Sequence, residues 1–341
     1  MNVAVIGAGG WGTALALLLL QAGSHQVRLW VRKPGLCAQM QQQKENVLYL
    51  PGVSLPEQLE LTSSLEQAVE KARLIVLAAP SHATRSIAEE LIRVGSVTLR
   101  ELPLLVSATK GIEEHSLLTM SAVLGEVFGS QLEARLAILS GPSFAAEVAR
   151  QCPTAVTVAA RDGNVAAVVQ KSFSSQRFRV YTTTDVAGVE IGGAVKNVIA
   201  LAAGVSDGLG YGHSARAALI TRGLAEMKRL AVRIGAKSET LSGLSGMGDL
   251  ILTCTSDMSR NYRVGVRLAR GETREAILQS MTMIAEGVRT SRSVFSLSRQ
   301  LQVEMPIVEQ IHALLYAGKP PRQVVADLLA REIKPEFPEP I

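Results

Sequence analysis

The sequence predicts an α/β fold in which a doubly wound parallel sheet of the Rossmann type is followed by an all-helical domain. Short apolar runs alternate with helical patterns from residue 1 to about residue 185, which is typical of a parallel sheet covered by helices on both faces. After about Asp185 the strand signals end, and a 3.6-residue periodicity continues to about Arg331. We therefore expect domains at residues 1–187 and 188–334, and an extended tail at residues 335–341.

The predicted strands are apolar runs, and several of them end in polar or glycine-containing turns. The runs are residues 3–6, 27–31, 74–78, 104–107, 137–139, 155–158 and, as a last candidate, 178–181. Ligands of such sheets bind beyond the carboxyl ends of the strands. A cleft between this sheet and the helical half is therefore the expected active site.

The first run leads directly into Gly7-Ala8-Gly9-Gly10-Trp11-Gly12, which opens a helix rich in Ala and Leu. Gly7, Gly9 and Gly12 stand where a dinucleotide-binding turn is tight, where its backbone approaches the pyrophosphate, and where its helix presses on the strand. Amide N–H groups at the start of that helix would face the phosphates. The motif predicts a dinucleotide cofactor, because a strand precedes it and a helix follows.

The second run ends at Arg32-Lys33, about twenty residues after the glycine turn. A site specific for NAD(H) usually carries a carboxylate at this point for the ribose hydroxyls. An arginine instead pairs with a 2′-phosphate, so these residues predict that NADP(H) is accepted beside NAD(H). The alternative is a pair of solvated basic residues at a strand end.

Composition argues against several classes of protein. The chain has 341 residues, and its net charge of +5 comes from 35 basic and 30 acidic residues without a basic run. A nucleic-acid partner is therefore not expected, whereas small anionic ligands are. The cysteines, Cys37, Cys152 and Cys254, are far apart and odd in number, so we expect neither disulfides nor a metal site.

No secretory signal and no membrane span are expected, so the predicted location is the cytoplasm. The apolar run at residues 14–20 is too short for a bilayer. The stretch at residues 186–205 is interrupted by Glu190 and Lys196, and its Gly and Ala content suits a helix packed inside protein.

Two lysines are candidates for chemistry. Lys110 follows the fourth run, where substrates sit in this fold, although it could be a surface lysine. Lys196 lies among Gly, Ala and Val on a helix that is predicted to be buried, so its charge must be compensated or its pKa shifted. Gly192 and Gly193 would let a ligand or another backbone approach it. A structural ion pair is the alternative to a catalytic role.

Three further segments offer polar groups. Ser140-Gly141-Pro142-Ser143-Phe144 supplies a rigid turn and a helix start, while Gly248-Asp249 places a carboxylate after a glycine turn. Ser259 is a predicted N-cap, which leaves Arg260 and Asn261 in a first helical turn suited to a phosphate. Cys254 is expected to be a small buried residue, and residues 208–212 a loop between helices.

Together these segments resemble the bacterial NAD(P)-dependent glycerol-3-phosphate dehydrogenase family over roughly residues 1–320. The similar segments also include Lys110-Gly111-Ile112-Glu113, Gly192-Gly193-Ala194-Val195-Lys196-Asn197, Thr253-Cys254-Thr255-Ser256 and Ala285-Glu286-Gly287, in the family's order. The resemblance implies reversible reduction of dihydroxyacetone phosphate to sn-glycerol 3-phosphate, for glycerophospholipid biosynthesis.

The resemblance also implies roles for individual residues. Lys196 matches the proton donor and acceptor. The matching substrate-binding positions are Lys110, Gly141, Ser143, Lys196, Asp249, Ser259, Arg260 and Asn261. The matching cofactor positions, beside the glycines of the turn, are Gly10, Trp11, Arg32, Lys33, Lys110, Ala145, Arg260, Ile284 and Glu286. The chain departs from the family at two loop segments, Tyr211-Gly212-His213-Ser214 and Met283-Ile284.

Two other functions are alternatives to this interpretation. A dehydrogenase of the same architecture could act on a 3-hydroxy acid, a sugar acid or ketopantoate, but Lys110 with Ser259-Arg260-Asn261 suits a phosphate better than a carboxylate. A non-catalytic NADP(H) sensor would keep the fold without turnover. The expected partner is a small phosphorylated substrate, and the sequence leaves a homodimer open.

Overall fold

A computed structural model describes residues 1–23, 25–94, 102–333 and 335–336 of the chain. The strands are β1 (Asn2–Ile6), β2 (Gln26–Trp30), β3 (Glu45–Asn46), β4 (Leu50–Ser54), β5 (Leu59–Thr62), β6 (Leu74–Leu77), β7 (Leu104–Ser107), β8 (Leu136–Ser140), β9 (Thr154–Ala159) and β10 (Phe178–Thr183). The helices of the sheet-containing half are α1 (Gly10–Ala22), α2 (Pro34–Gln43), α3 (Leu65–Val69), α4 (Thr84–Arg93), α5 (Met120–Phe128), α6 (Ala145–Ala149) and α7 (Gly163–Phe173).

The remaining helices follow one another without a strand in the described part of the chain after Thr183. They are α8 (Val186–Gly208), α9 (Gly212–Arg233), α10 (Ser238–Leu241), α11 (Asp249–Thr255), α12 (Arg260–Ala269), α13 (Arg274–Ser280), α14 (Glu286–Gln300), α15 (Pro306–Tyr316) and α16 (Pro321–Leu329). The predicted change from an α/β half to an all-helical half is confirmed.

The main sheet has the strand order β10-β9-β8-β7-β6-β1-β2-β5. The chain builds outward from β1 to β2 and β5, and then returns to the other side of β1 with β6. Ile6 pairs with both Trp30 and Leu77, so these strands end side by side. The reversal of strand order at β1 and β6 opens a crevice at their carboxyl ends, where ligands of doubly wound sheets bind.

Two details of the sheet differ from the sequence prediction. The pair β8–β9 is antiparallel, whereas the other neighbours run parallel. The strands β3, β4 and β5 were not predicted. Strand β5 lies at the sheet edge and alternates apolar and polar residues, and β4 contains Pro51 and Gly52, so neither is a continuous apolar run. The seven predicted strands exist, with ends that differ by at most two residues.

Separate apolar cores cover the two faces of the sheet. Helices α1 and α7 pack on one face, and α3, α4 and α5 pack on the other. The run at residues 14–20 lies within α1 and is buried up to Leu19. It is a core helix, as predicted.

Helix α8 is the centre of the helical half. It is buried continuously from Gly188 to Ser206 and packs against α9, α11, α12 and α14. By length and apolar character it could cross a membrane, but 89% of its most apolar window is buried inside the protein. Asp185 caps its first turn by accepting a hydrogen bond from the Gly188 N–H at 3.0 Å.

The domain limits are not decided by these elements. Strand β10 ends at Thr183 and α8 begins at Val186, so a division between residues 187 and 188 stays a prediction. Lys334 and residues 337–341 lie outside the described residues, and with them most of the predicted tail.

Candidate active site

The glycine turn after β1 has the geometry that a dinucleotide requires. Gly7 has a φ of +116°, and a Cβ on Gly12 would stand 1.8 Å from the Gly7 carbonyl oxygen. Gly9 is the N-cap of α1, no side chain caps that helix, and a Cβ on Gly9 would meet nothing within 4 Å. The turn is therefore tight and closely packed at its ends, and its middle is open to a ligand.

Gly10, Trp11 and Ala145 lie around this turn. A Cβ on Gly10 would stand 2.6 Å from the Tyr49 carbonyl oxygen and 3.7 Å from the Ala145 Cβ. The Trp11 Nε1 is buried and has no hydrogen-bond partner among the described residues. An orphaned indole N–H beside an uncapped helix start leaves a donor for a bound anion. The turn thus fits a pyrophosphate.

Arg32 and Lys33 follow β2, at the carboxyl ends of the strands, where the glycine turn also lies. Both side chains are exposed, and neither forms an ion pair with a carboxylate of the described residues. Sequence reasoning missed two neighbours, His82 and Arg289. Burial lowers the pKa of His82, the charges of Arg289 and Arg32 lower it further, and Glu286 raises it. Arg32 of the sheet-containing half and Arg289 of the helical half therefore both lie close enough to act on His82.

Two lysines share one buried carboxylate at the centre of the site. The Lys196 Nζ donates to Asp249 Oδ1 at 2.6 Å, and the Lys110 Nζ donates to Asp249 Oδ2 at 2.7 Å. The Asp249 side chain is 1% exposed, that of Lys196 8% and that of Lys110 18%. Lys196 on α8, Lys110 after β7 and Asp249 at the start of α11 are thus brought together from both halves.

The remaining contacts of the lysines hold them in place. Lys196 also donates to Thr253 Oγ1 at 2.8 Å, and Lys110 donates to the Gly141 carbonyl at 3.1 Å. Thr253, in turn, donates to the Asp249 carbonyl one turn earlier on α11. Its part in the cluster was not anticipated, although it lies in a segment that carried the family resemblance. Each ammonium keeps one N–H beyond these two contacts.

Burial lowers the pKa of Lys196 to about 8, while Asp249 raises it and Lys110 lowers it. Arg260 is not among the groups with the largest effect on this pKa, and its Nη1 donates to the Ile284 carbonyl at 2.8 Å. A lysine with this pKa exchanges a proton readily near neutral pH.

The Ser140–Phe144 turn lies against the lysines. Gly141 has a φ of +137°, and its carbonyl accepts from Lys110 and from the Ser143 Oγ at 3.0 Å. The Ser140 Oγ is buried without a partner among the described residues, beside Gly193 and the Lys110 side chain. Helix α6 begins at Ala145 with Phe144 as its N-cap, so the helix start expected after this turn is confirmed.

We expected the glycines before Lys196 to let either a ligand or another backbone come close. The structure shows the approach of another backbone. A Cβ on Gly192 would stand 2.4 Å from the Ser245 carbonyl oxygen, and one on Gly193 would stand 2.8 Å from the Ser140 Oγ. Helix α8 can therefore approach both the sheet and the turn that precedes Asp249.

The predicted N-cap at Ser259 is confirmed, because its Oγ accepts from the Tyr262 N–H at 3.3 Å. The side chain of Asn261 is more occupied than we expected. It donates to Asn197 Oδ1 at 2.9 Å and accepts from the Gly287 N–H at 2.9 Å. Asn261 therefore ties α12 to α8 and α14, and one of its N–H groups remains for a ligand.

Glu286 connects the two halves of the chain. Its carboxylate accepts from the Ser81 Oγ at 2.6 Å and from the Ser81 N–H at 3.2 Å, at the start of a short 3-10 helix. The neighbouring Ile284 is 40% exposed. The predicted cofactor residue Glu286 thus links the helical half to the sheet-containing half, and Ile284 lies two residues before it.

Other segments lie outside this cluster. Residues 209–211 connect α8 to α9, as predicted, and His213 contacts Arg216, which pairs with Asp207. Cys254 is fully buried, and burial raises the pKa of its thiol to about 12, which confirms a small buried residue. No group of three or more potential metal-binding side chains lies together within the described residues.

Comparison with known proteins identifies relatives of both halves. The family described as NAD-dependent glycerol-3-phosphate dehydrogenase matches with its N-terminal part over residues 2–166 and with its C-terminal part over residues 185–326. A glycerol-3-phosphate dehydrogenase (NAD(P)+) of Syntrophotalea carbinolica is 52% identical over 337 residues, covering 99% of this chain and 100% of the relative. One of a Geobacter species is 50% identical over 338 residues, covering 98% of each.

A solved structure resembles the whole fold. The crystal structure of glycerol-3-phosphate dehydrogenase from Coxiella burnetii superposes with a TM-score of 0.90 at 38% identity, covering 97% of this chain and 99% of that one. Its similarity extends over both the sheet and the helical half.

Proposed function

This chain belongs to the NAD-dependent glycerol-3-phosphate dehydrogenase family and is an NAD(P)-dependent oxidoreductase, and from that premise we propose that it works mainly to reduce dihydroxyacetone phosphate to sn-glycerol 3-phosphate. The observation that carries the proposal is the pair of lysines on Asp249. We further propose that the product supplies glycerophospholipid biosynthesis in the cytoplasm. A homodimer stays a prediction.

The chemistry needs a positioned proton and a positive charge beside the substrate carbonyl. The reduced nicotinamide, when bound, supplies a hydride to the carbonyl carbon. The carbonyl oxygen then becomes an alkoxide, and the Lys196 ammonium both stabilises it and donates the proton. With a pKa of about 8, Lys196 is mostly protonated at neutral pH, as reduction requires. In the reverse direction, neutral Lys196 accepts the hydroxyl proton.

Asp249 and Lys110 make this proton transfer less costly. Asp249 holds the Lys196 ammonium at 2.6 Å in an interior that otherwise disfavours its charge. When Lys196 gives up its proton, the Asp249 carboxylate keeps its ion pair with Lys110. The buried carboxylate is therefore never left without a cation, which would cost several kcal/mol. The hydrogen bond from the Lys196 Nζ to the Thr253 Oγ1 also fixes the position of the Nζ.

The substrate phosphate is assigned to the first turn of α12. Arg260 uses one guanidinium N–H for the Ile284 carbonyl, and arginine carries five such donors. The free N–H of Asn261 adds a further donor. These groups suit a phosphate better than the single carboxylate of a 3-hydroxy acid, a sugar acid or ketopantoate.

We assign the cofactor to the crevice at the carboxyl end of β1. The open backbone at Gly9 and the Trp11 Nε1 suit the pyrophosphate, and Arg32 with Lys33 suits a 2′-phosphate. Ala145, Ile284 and Glu286 would lie beside the bound cofactor, between the glycine turn and Lys196.

Initial rates test the proposal. We expect oxidation of NADPH or NADH that depends on dihydroxyacetone phosphate, and far slower rates with ketopantoate or 3-keto acids. Cofactor binding without turnover on any of these substrates would favour the sensor instead. Faster turnover of ketopantoate would overturn the choice of substrate.

A further inference from the structure

A fully buried asparagine outside the described site forms hydrogen bonds with the nucleotide-binding turn. Asn46, at the end of β3, is 0% exposed. Its Nδ2 donates to the Ala8 carbonyl at 2.9 Å and to the Thr13 Oγ1 at 2.8 Å. Its Oδ1 accepts from the Tyr49 N–H at 3.2 Å. Both donor hydrogens and the acceptor of this side chain are therefore used.

The contact with Ala8 decides how the middle of the turn is oriented. The Ala8–Gly9 peptide is trans, so the Ala8 carbonyl and the Gly9 N–H lie in one rigid plane and point in opposite directions. Because Asn46 holds the carbonyl on the side of β3, the Gly9 N–H is directed away from it. A Cβ on Gly9 would meet nothing within 4 Å, so the surroundings of that residue are open.

The same segment also supports the next residue of the turn. The Tyr49 carbonyl would stand 2.6 Å from a Cβ on Gly10, so the chain at residues 46–49 presses directly on the start of α1. Helix α1 has no side-chain cap of its own. Glycine has more backbone freedom than any other residue, so a turn with four glycines in six residues needs an outside restraint to keep one conformation.

We propose that Asn46 is a positioning residue for the cofactor: it locks the Ala8–Gly9 peptide so that the Gly9 N–H and the start of α1 face the pyrophosphate. The proposal rests on the proposed cofactor site. A turn held in its binding conformation before the cofactor arrives loses less entropy on binding. Asn46 therefore acts on affinity for the pyrophosphate through Ala8, without touching the cofactor.

The test compares Asn46→Leu with Thr13→Val. Asn46→Leu keeps similar volume and removes the contact with Ala8, whereas Thr13→Val removes one partner of Asn46 and leaves that contact. Dissociation constants are measured by fluorescence titration for NADPH and by competition for adenosine 2′-monophosphate, which lacks the pyrophosphate. KM for dihydroxyacetone phosphate is measured at saturating NADPH, and Tm is recorded for each variant.

We expect Asn46→Leu to weaken NADPH binding by about tenfold or more, equivalent to about 1.4 kcal/mol. Its affinity for adenosine 2′-monophosphate and its KM for dihydroxyacetone phosphate should change little. Thr13→Val should bind NADPH almost as the unmodified protein does, even where its Tm falls similarly. Equal losses for NADPH and adenosine 2′-monophosphate, or equal NADPH losses in both variants, would reduce Asn46 to a structural residue.

A second variant decides the matter if Asn46→Leu does not fold. Asn46→Asp keeps an acceptor for the Tyr49 N–H and can accept from the Thr13 hydroxyl in place of donating to it, but its carboxylate cannot donate to Ala8. Unchanged NADPH affinity in this variant would overturn the proposal. Turnover of dihydroxyacetone phosphate by the unmodified protein is measured in parallel, so failure of the positioning role is distinguishable from failure of the proposed function.

Discussion

At the scale of single residues, the proposed chemistry depends on one carboxylate that pairs with two ammonium groups. Asp249 alone would be a costly buried charge, and so would Lys196. Together with Lys110 they leave a net positive charge beside the place proposed for the carbonyl. This excess charge is what a forming alkoxide requires.

Lys196→Ala should lower kcat by about 100-fold or more, the usual contribution of a positioned proton donor. The fold and the affinity for NADPH should persist, because Lys110 still pairs with Asp249. Steady-state rates and NADPH titrations measure these effects, with Lys171→Ala on the exposed side of α7 as the matched control. Near-native turnover of the Lys196 variant would remove it from the mechanism.

Arg32→Asp should weaken NADPH binding by roughly 10- to 100-fold, as expected for a lost charged hydrogen bond of about 1.5–3 kcal/mol. NADH lacks the 2′-phosphate, so its affinity should change much less. Fluorescence titrations with both cofactors measure the difference, and Arg322→Asp on α16 controls for net charge. Equal losses for the two cofactors would mean that Arg32 does not contact the 2′-phosphate.

At the scale of elements, the first turn of α12 combines a cap with the surface proposed for the substrate phosphate. Ser259 satisfies the Tyr262 N–H, and Asn261 ties this turn to α8 and to the start of α14. The turn is therefore held rigidly from two sides, which leaves the guanidinium of Arg260 as its adaptable group. Rigid support of this kind is what lets remote binding energy orient a reacting carbonyl.

Arg260→Ala should lower kcat/KM strongly for dihydroxyacetone phosphate and hardly at all for unphosphorylated dihydroxyacetone. The reason is that binding energy from the phosphate positions the carbonyl as well as tightening the complex. Rates with both substrates measure the effect, and Arg263→Ala, exposed one turn later on α12, is the control. If both substrates lose activity by the same factor, Arg260 serves the cofactor or the fold instead.

At the scale of the whole molecule, the helical half depends on a buried carboxylate far from the lysines in sequence. Glu226 on α9 is 2% exposed and accepts from the Ile307 N–H at 2.7 Å and the Val308 N–H at 3.3 Å, so it caps α15. Burial raises the pKa of Glu226 from 4.5 to about 7, although these two N–H groups lower it.

This pKa predicts a pH dependence of stability. Because the folded protein holds the Glu226 proton more tightly than the unfolded chain does, the associated stabilisation is present below about pH 4.5 and is lost as pH rises through about 7. Each unit of pKa difference corresponds to about 1.36 kcal/mol. Glu226→Gln cannot titrate, so its Tm should fall less than that of the unmodified protein between about pH 5 and about pH 8.

Thermal unfolding across this pH range measures the difference, with the exposed Glu57→Gln as the control variant. The same decline of Tm in the Glu226 variant and the unmodified protein would show that Glu226 does not control this dependence.

The sequence by itself determined the class of fold, the dinucleotide turn and the change to helices near residue 185, because each rests on local periodicity or glycine spacing. It also indicated that Lys196 must be compensated, since apolar residues surround it on α8. It did not reveal β5, an edge strand without a continuous apolar run, or the antiparallel direction of β9, because pairing direction depends on distant strands.

Only the tertiary structure decided which polar groups meet. Asp249 follows Lys110 by 139 positions and Lys196 by 53, and no local pattern encodes that both ammonium groups reach the same carboxylate. The same holds for Asn46 and Ala8, and for Glu286 and Ser81. Local sequence sets backbone conformation and burial, whereas the neighbours of a buried charge are chosen by the packing of elements that are remote in the chain.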